Sequence, residues 1–373
     1  MVRRLLVTAV LAGIIVTGLE RSLPSGDLRD FGSFLASASA GASGKDPYGV
    51  YPLTFHVVVP GFDVWNPNLN PPVSVVFFRL FDRLDTGYAF RLWWSVSVLC
   101  YVAAIVLLGR RYDARRHWLV PLWAFAHAGL WDTLFLGQLY LPLVLMVAGS
   151  WLLLDMKRPL GAGVLMGIVI AFKPNLLVWP VLLVLARHWR APAAAAVTAT
   201  ALILIPIATN GVDVYRQWLH VILSDDTRAA FLTNASFPGF AQRLGVGPVG
   251  ALLAIGALAV GAGWAWRHSP EPLGASALGI TLGIAASPIA WVHYTLFLLP
   301  VFFAQGPSRM LTGAAVLLVI PVPVVLHFLD TSLWEQGTIG SAYNWAVLLC
   351  LGGFAIEAAS RPALSLARRS AVL

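Results

Sequence analysis

Charged residues are scarce in this sequence. Asp, Glu, Lys and Arg make up 11% of its 373 residues, whereas soluble domains carry about 25%. Cysteine is almost absent too, and because Cys100 and Cys350 both fall inside apolar segments, neither a disulfide framework nor a cysteine-based metal site is expected. No internal repeat is visible, which argues against a transporter built from inverted halves. The remaining composition is 58% hydrophobic with 15 Trp and 24 Pro, as in a membrane protein.

Long apolar runs make up most of the sequence. A membrane-spanning helix needs about 20 apolar residues, or fewer where the bilayer thins. We therefore expect an all-α polytopic membrane protein, a single helix-bundle domain over residues 1–373 with about 10–13 transmembrane helices. The twelve candidate segments are 5–19, 88–108, 118–135, 139–155, 160–172, 175–187, 192–209, 248–266, 275–290, 292–304, 310–328 and 343–358.

The positions of Lys and Arg predict the orientation of the chain. With the N-terminus inside, most of the basic residues fall in inner loops, as the positive-inside rule requires. The formal net charge of +8 is then explained by membrane topology, and no nucleic-acid partner is expected. This arrangement places both termini in the cytoplasm and two long loops, near residues 20–87 and 210–247, outside the cell membrane.

The first outer loop begins with two carboxylates, Asp27 and Asp30. They precede an apolar, small-residue stretch, residues 31–42, that we expect to form a helix on the membrane surface. A Pro/Asn-rich turn follows at residues 66–72, and residues 73–81 are too short to span and predict an interfacial or re-entrant helix. As an alternative to catalysis, Asp27 caps the surface helix and Asp30 adds negative charge to its N-terminus.

Three ionisable residues lie close to membrane depth. Asp132, Lys173 and His293 each carry an insertion cost, which is roughly 2.5–3.5 kcal/mol for Asp or Lys, so such residues mark functional sites by default. The predicted topology brings all three towards the outer face, on the same side as Asp30. The alternatives are local: Lys173 snorkels to the interface, His293 hydrogen-bonds a neighbouring span, and Asp132 caps or pairs nearby. The convergence of all three on one face favours a shared site.

The order and spacing of these residues resemble a known family. From about residue 25 to 305 the chain is similar to the GT-C superfamily of membrane glycosyltransferases, and in particular to glycosyltransferase family 87. Asn70 and Tyr294 stand where that family often has Tyr and a second His. The matching elements are Asp30-Phe31, Gly44, Pro47-Tyr48, Asn70-Pro71-Pro72, Gly137-Gln138, Lys173-Pro174, Asn234-Ala235-Ser236, Arg243 and Ser287-Pro288 with Trp291 and His293.

The resemblance implies a GT-C type helix bundle that works on the extracytoplasmic face of the membrane. Such an enzyme takes a sugar, commonly mannose, from a polyprenyl-phosphate donor and transfers it with inversion to a hydroxyl of a glycolipid or glycan. Its partners are these two substrates and membrane lipids. No cofactor is implied. The sequence contains no Asp-x-Asp pair suited to a nucleotide-sugar metal, and Asp225-Asp226 is a weak alternative, so no metal site is expected.

Chemistry assigns the roles within this resemblance. Direct displacement needs a base beside the acceptor hydroxyl, and the spacing to Gly44 and Pro47-Tyr48 favours Asp30 over Asp27 for it. If the two lie on one helix face, each raises the other's pKa. Developing charge on the leaving phosphate requires cations or donors. We assign this role to Lys173, His293 and Arg243, and sugar or acceptor binding to Gln138, Asn234, Trp291 and Asp132.

Two rival functions remain open at this point. An arabinofuranosyltransferase that uses a polyprenyl-phosphate-arabinose donor would need the same chemistry, and the sequence does not separate the two sugars. A transporter or lipid flippase would need polar residues through the bilayer depth and preferably repeat symmetry. Here the polar residues cluster at one face beside two long outer loops, which favours a transferase.

Overall fold

The computed structural model describes residues 2–112, 118–224, 228–305 and 308–360, without the side chains of residues 2, 3 and 355–360. Asp225-Asp226, the weak metal-pair alternative, therefore lies outside the described residues, as do several inner-loop charges. The described chain is mainly helical, with one short hairpin, and confirms the all-α class. The α-helices are α1 (Val2–Ser22), α2 (Arg29–Ala42), α3 (Pro72–Phe78), α4 (Thr86–Arg111), α5 (Leu119–Ala126), α6 (Ala128–Leu136), α7 (Tyr140–Asp155), α8 (Pro159–Phe172), α9 (Val178–Leu185), α10 (Arg190–Asn210), α11 (Asp213–Leu223), α12 (Phe237–Arg243), α13 (Gly247–His268), α14 (Pro272–Ala285), α15 (Leu299–Ala304), α16 (Arg309–Leu318), α17 (Val322–Leu326), α18 (Leu333–Gly337) and α19 (Ala342–Ser360).

Five helical segments of the described chain are long and apolar enough to cross a membrane. Seven shorter apolar helices accompany them, and each of the twelve predicted segments overlaps at least one helix. The number of true spans stays a prediction. The five long segments are Arg4–Ser22, Thr86–Arg111, Leu119–Leu136, Arg190–Asn210 and Gly247–His268. Short 3₁₀ helices at Arg79–Phe81, Pro174–Leu177, Arg228–Ala230, Val292–Leu298 and Ile339–Ser341 connect the longer elements.

Local sequence explains where the helices begin and end. The Asp85 side chain caps α4 by accepting a hydrogen bond from the Tyr88 amide, and Arg110 and Arg111 lie in its last turn, where the helix dipole favours cations. Helix α8 ends at Phe172 because Pro174 has no amide hydrogen and restricts the residue before it to extended backbone. Lys173 accordingly has φ −137° and ψ 78°, so its side chain leaves the helix end at a break in the span.

Helix α2 forms where the surface helix was predicted, but its placement differs. Most of its residues are buried by protein rather than lying on a membrane surface, so the surface prediction was wrong. Phe31 lies within an aromatic cluster that includes Phe78, Phe90 and Trp93 from α3 and α4. The stretch is apolar because it packs inside the bundle, and this packing takes Asp30 into the interior with it.

A two-stranded hairpin in the first long loop was not predicted. Strands β1 (Phe55–Val59) and β2 (Phe62–Asn66) pair antiparallel, and their connection contains Gly61 at φ +71°, a conformation that favours glycine. Since side chains alternate across a strand, one face carries Phe55, Val57, Val59, Phe62, Val64 and Asn66, and the opposite face carries His56, Val58, Asp63 and Trp65. The first face turns towards a large cavity.

Close helix packing supports one wall of that cavity. Side chains added at Gly163 or Gly167 of α8 would overlap the backbone of α10 at Ala191 or Ala195, as is typical of membrane helices that approach through small residues. Helices α8 and α10 are therefore in close contact along their length, and Lys173, at the end of α8, is held against the bundle.

Candidate active site

One large cavity, about 1020 Å³ in volume, collects residues from widely separated parts of the chain. Its walls come from α1, α2, the hairpin, α6, the break after α8, α11, the 3₁₀ segments at Arg228–Ala230 and Val292–Leu298, and α17. Most of the lining is apolar, and the polar side chains are few and come from several elements, which is the usual character of a binding site. Six of the nine residues singled out in the sequence line it: Asp30, Asp132, Gln138, Lys173, Trp291 and His293.

Asp30 is held by two amide side chains. Asn66 Nδ2 donates to Asp30 Oδ1 at 2.6 Å, and Gln138 Nε2 donates to Asp30 Oδ2 at 2.6 Å. Asn66 ends strand β2, and Gln138 follows the C-cap of α6, so a hairpin and a helix end converge on one carboxylate. The Asp30 residue is 3% exposed. Each carboxylate oxygen retains capacity to accept a further proton or hydrogen bond.

The structure explains why a glycine precedes Gln138. Gly137 has φ +70° as the left-handed C-cap of α6, and a side chain there would overlap Phe31 and Phe90. The glycine thus lets the end of α6 approach α2 directly beside Phe31. This approach brings the next side chain, Gln138, within hydrogen-bonding distance of Asp30.

Burial dominates the electrostatics of Asp30, which lies in a helix outside the candidate spans. Loss of solvation raises its pKa from 3.8 to about 6, while the hydrogen bonds from Gln138 and Asn66 and the positive charges of Arg228 and Lys173 act in the opposite direction. A carboxylate with this pKa is largely ionised at neutral pH and is a stronger proton acceptor than an exposed aspartate. These are the properties required of a general base.

Lys173 is equally buried, with 6% exposure. Its Nζ donates to Asn70 Oδ1 at 2.7 Å and to the Tyr140 hydroxyl at 2.9 Å, and it lies 4.1 Å from the centroid of the Tyr140 ring. The Tyr48 hydroxyl donates to the Asn70 carbonyl at 3.1 Å, which gives the Pro-Tyr element a structural role. The Nζ of Lys173 is therefore fixed in the cavity that holds Asp30.

Asp132 and His293 form a second polar pair in the cavity. Asp132 Oδ2 lies 3.3 Å from His293 Nδ1, and the His293 ring lies 4.8 Å from that of Tyr140. Helix α6 supplies the aspartate and the 3₁₀ helix after Trp291 supplies the histidine. Tyr140 lies between this pair and Lys173, so the two groups belong to one continuous polar region.

Arg228 is a cavity residue that the sequence prediction missed. It is 6% exposed, lines the cavity, and donates to the Trp65 carbonyl at 2.6 Å. Its charge acts on Asp30. Asn66 and Tyr140 were missed as well, and Asn70 was named only as part of the Asn-Pro-Pro element, without a role at the site. The available signal in the sequence was the polar residues of the Asn-rich turn and the tyrosine at the start of the apolar segment after Gln138.

Arg243 and Asn234 occupy a different place from the one predicted, because neither lines the cavity. Arg243 donates to the carbonyls of Phe231 and Asn234 and to the Asn344 side chain. Asn234 bonds the carbonyls of Ala229 and Pro288 and accepts from the Ala290 amide. Asn234 fastens the second long loop to the segment before Trp291, and Arg243 fastens it to α19. Their contacts explain their positions without a substrate.

Asp27 does not share a helix face with Asp30. It precedes α2, its side chain is 60% exposed, and its carboxylate lies 3.4 Å from Arg29 Nε. The chain between the two acids passes through Arg29 at φ +48°, which turns Asp27 away from the cavity. The expectation that these carboxylates act as a neighbouring pair is wrong, and Asp30 has Asp132 as its acidic neighbour instead. Among the described residues, no cluster of three or more His, Cys, Asp or Glu suits a metal ion.

The structure is an all-α bundle with membrane-length apolar helices around a large cavity that contains a buried carboxylate, amides and a lysine. The model of glycosyltransferase family 87 matches residues 68–288. The chain belongs to glycosyltransferase family 87 and is a glycosyltransferase, which removes the transporter or flippase alternative. The matched interval contains Gln138 and Lys173 and begins after Asp30.

Curated relatives extend the similarity over most of the chain. A polyprenol-phosphate-mannose-dependent alpha-(1-2)-phosphatidylinositol pentamannoside mannosyltransferase of Mycobacterium tuberculosis is 28% identical over 348 residues, covering 85% of this chain and 79% of the relative. The enzyme of the same name from Mycolicibacterium smegmatis is 26% identical, covering 85% and 83%. A polyprenol-phosphate-mannose-dependent alpha-(1-2)-phosphatidylinositol mannoside mannosyltransferase of M. tuberculosis is 26% identical, covering 91% and 87%. No solved structure matches this chain.

Proposed function

We propose that this protein transfers mannose from a polyprenyl-phosphate-mannose donor to a hydroxyl of a glycolipid or glycan acceptor on the extracytoplasmic face of the cell membrane. The names of the curated relatives support the donor. The observation that carries the mechanism is the presence of Asp30, fixed by Asn66 and Gln138, in the same cavity as Lys173. The orientation, with both termini in the cytoplasm, rests on the distribution of basic residues.

Asp30 is the general base of the proposed reaction. The acceptor hydroxyl oxygen attacks the anomeric carbon, and its proton passes to an Asp30 oxygen as the new bond forms. The bond from the anomeric carbon to the phosphate oxygen breaks, and the electron pair leaves with the polyprenyl phosphate. No covalent intermediate with the enzyme is needed, so the configuration inverts. The buried environment of Asp30 supports this role, since the raised pKa improves proton acceptance near neutral pH.

Lys173 and Arg228 stabilise the departing phosphate. Both are buried, both line the cavity, and both carry charge that reaches Asp30. The phosphate gains negative charge as the sugar leaves, and fixed cations in a low-dielectric site favour that change strongly. The hydrogen bonds from Lys173 to Asn70 and Tyr140 hold the ammonium group in place before the reaction, which lowers the reorganisation required.

The Asp132–His293 pair and Trp291 contact the sugars. Polar side chains in a mostly apolar cavity fix the orientation of a polyhydroxylated ligand, and Trp291 adds an aromatic surface beside Phe231. The apolar wall from α11, which includes Trp218, Val221 and Ile222, supplies a surface for the polyprenyl chain. The structure of the acceptor decides which of these residues contact the donor sugar and which contact the acceptor sugar.

Donor choice is tested directly. Membranes that contain the protein are incubated with radiolabelled polyprenyl-phosphate-mannose and, separately, with radiolabelled polyprenyl-phosphate-arabinose, in the presence of phosphatidylinositol mannosides. We expect labelled glycolipid from the mannose donor alone. Product from the arabinose donor alone would replace mannose with arabinose in the proposal, and product from neither would remove this donor class.

A further inference from the structure

Helix α1 lines one side of the cavity with a regular stripe. The stripe comprises Ile14, Thr17, Gly18 and Arg21, which follow one another at helical spacing on one face. It extends about 10 Å along the helix at 1.5 Å per residue. Its first members are apolar or small, and its last member carries a positive charge at the C-terminal end of the span. A ligand that follows this stripe needs an apolar part and an anionic part in that order.

The stripe is open at two of its four positions, whereas Ile14 packs against the core and Gly18 lies against Trp131. Helix α1 contacts mainly α5 and α6, and Thr17 and Arg21 are exposed. Gly18 allows α1 to approach the Trp131 ring, because any side chain there would overlap it. Trp131 also lines the cavity, so α1 and this indole belong to one wall of it.

Arg21 is available to an external anion. Within the described ranges, no residue forms a hydrogen bond or ion pair with its side chain, although its charge reaches Asp132. It differs in this respect from Arg29, whose guanidinium donates to the Phe135 carbonyl and stacks on the Phe135 ring. An Arg fork is well suited to bind a phosphate with two parallel hydrogen bonds.

The position of Arg21 separates it from the site of the donor phosphate. The donor phosphate is bonded directly to the reacting carbon, so it must lie beside Asp30, where Lys173 and Arg228 act. Arg21 ends α1, which packs on α5 and α6, whereas Asp30 lies in α2 and Lys173 follows α8. A phosphate at Arg21 is therefore further from the reaction, as expected when sugar residues separate it from the attacking hydroxyl.

We propose that the α1 stripe binds the acceptor: Arg21 pairs with the phosphodiester of an anionic glycolipid, and Ile14, Thr17 and Gly18 contact its acyl chain. This inference rests on the proposed function, because it assigns one of the two lipids of that reaction to a particular wall. The other apolar wall, formed by α11, remains for the polyprenyl chain. Recognition of the acceptor phosphate then contributes to acceptor affinity and not to the chemical step.

The test compares two acceptors with one donor. Purified protein is given polyprenyl-phosphate-mannose with either a phosphatidylinositol mannoside or an uncharged alkyl mannoside. For Arg21→Gln we expect KM for the anionic acceptor to rise about tenfold or more, since a charge-assisted hydrogen bond is lost, with kcat unchanged. KM for the uncharged acceptor and for the donor should stay the same. Equal effects on both acceptors would overturn the assignment.

A matched control excludes a general attraction of anionic lipid to surface cations. Arg91 is exposed near the N-terminal end of α4 and lies outside the cavity lining. Arg91→Gln should leave every KM unchanged. A second variant, Thr17→Phe, fills the exposed stripe and should weaken the preference for acceptors with long acyl chains while sparing a short-chain analogue. A long-chain preference that survives this change would contradict the apolar half of the proposal.

A binding measurement tests the role of Arg21 without use of the alkyl mannoside. Native mass spectrometry of the purified protein with added phosphatidylinositol should show retained lipid for the unchanged protein and for Arg91→Gln, and several-fold less for Arg21→Gln. Equal retention by Arg21→Gln would overturn the proposal even where mannose transfer is intact. If the unchanged protein transferred no mannose but retained lipid in a way that depends on Arg21, only the proposed function would be contradicted.

Discussion

Gln138 Nε2 lies 2.6 Å from Asp30 Oδ2, although 108 residues separate the two in the chain. The pair joins the helix-end glycine turn of α6 to the first buried turn of α2, and Asn66 completes the arrangement from the other side. The carboxylate is thus held by neutral donors, and the cations Lys173 and Arg228 lie further off. A base held by neutral amides keeps a higher proton affinity than one paired directly with a cation.

The first prediction separates the two acids of the first long loop. Asp30→Asn keeps the shape of the side chain but removes the proton acceptor, so transfer should fall by about 10²–10⁴-fold. Thermal stability in detergent should be retained or increase, because the raised pKa of Asp30 means that the buried charge costs folding free energy above pH 6. The measurements are initial rates and a thermal unfolding scan.

Asp27→Asn is the matched control for that variant. Asp27 is exposed and pairs with Arg29 at the surface, so its rate and melting temperature should stay close to those of the unchanged protein. A fully active Asp30→Asn variant would remove Asp30 as the base. An inactive Asp27→Asn variant with normal stability would return the role to Asp27.

The second prediction concerns pH. Asp30 must be ionised to accept a proton, so kcat should fall as the pH drops through about 6, the value to which burial raises its pKa. Gln138→Leu removes a hydrogen bond that favours the ionised form, so this acid limb should move to higher pH. Rate profiles between pH 5 and pH 8.5 measure the shift. If Gln138→Leu left the acid limb of the pH profile in place and raised the donor KM, Gln138 would instead bind the sugar directly.

Lys173 provides the third prediction. Lys173→Met keeps much of the side-chain volume but removes the cation, and kcat should fall by roughly 10²-fold or more, as for loss of one electrostatic group at a developing charge. Its hydrogen-bond partners Asn70 and Tyr140 also lose their donor, so a modest drop in melting temperature is expected. Lys157→Met, at an exposed position between α7 and α8, is the control and should leave kcat unchanged.

Much of the helical framework was predictable because apolar segments of sufficient length report directly on helices in a membrane. The order of Asp30, Gln138, Lys173 and His293 likewise predicted a common site, and all four line one cavity. The placement of α2 was not predictable, because an apolar stretch suits a membrane surface and a protein interior equally well. The hairpin was missed because its alternation is short and lies within a long loop that Pro and Asn residues dominate.

The two arginines of the second long loop differ in a way that their sequence positions do not show. Arg243 and Arg228 lie in the same long loop and look equivalent in the sequence, yet only Arg228 lines the cavity. The two residues differ in the carbonyl groups to which each guanidinium donates. These partners depend on how the loop packs near Trp291. The sequence prediction chose Arg243 for the phosphate, whereas the cavity lining favours Arg228 for that role.

The fourth prediction follows from that difference. Arg243 is buried and its guanidinium satisfies the carbonyls of Phe231 and Asn234 and the side chain of Asn344. Arg243→Met should therefore lower the free energy of unfolding by about 2–4 kcal/mol, because those buried acceptors lose their donors. The fraction that stays folded should keep a near-normal KM and kcat. Arg228→Met should show the reverse, with a large loss of kcat and a smaller loss of stability. Melting temperature and kcat measured on both variants decide the matter, and a kinetic defect in folded Arg243→Met protein would restore a direct role for that residue.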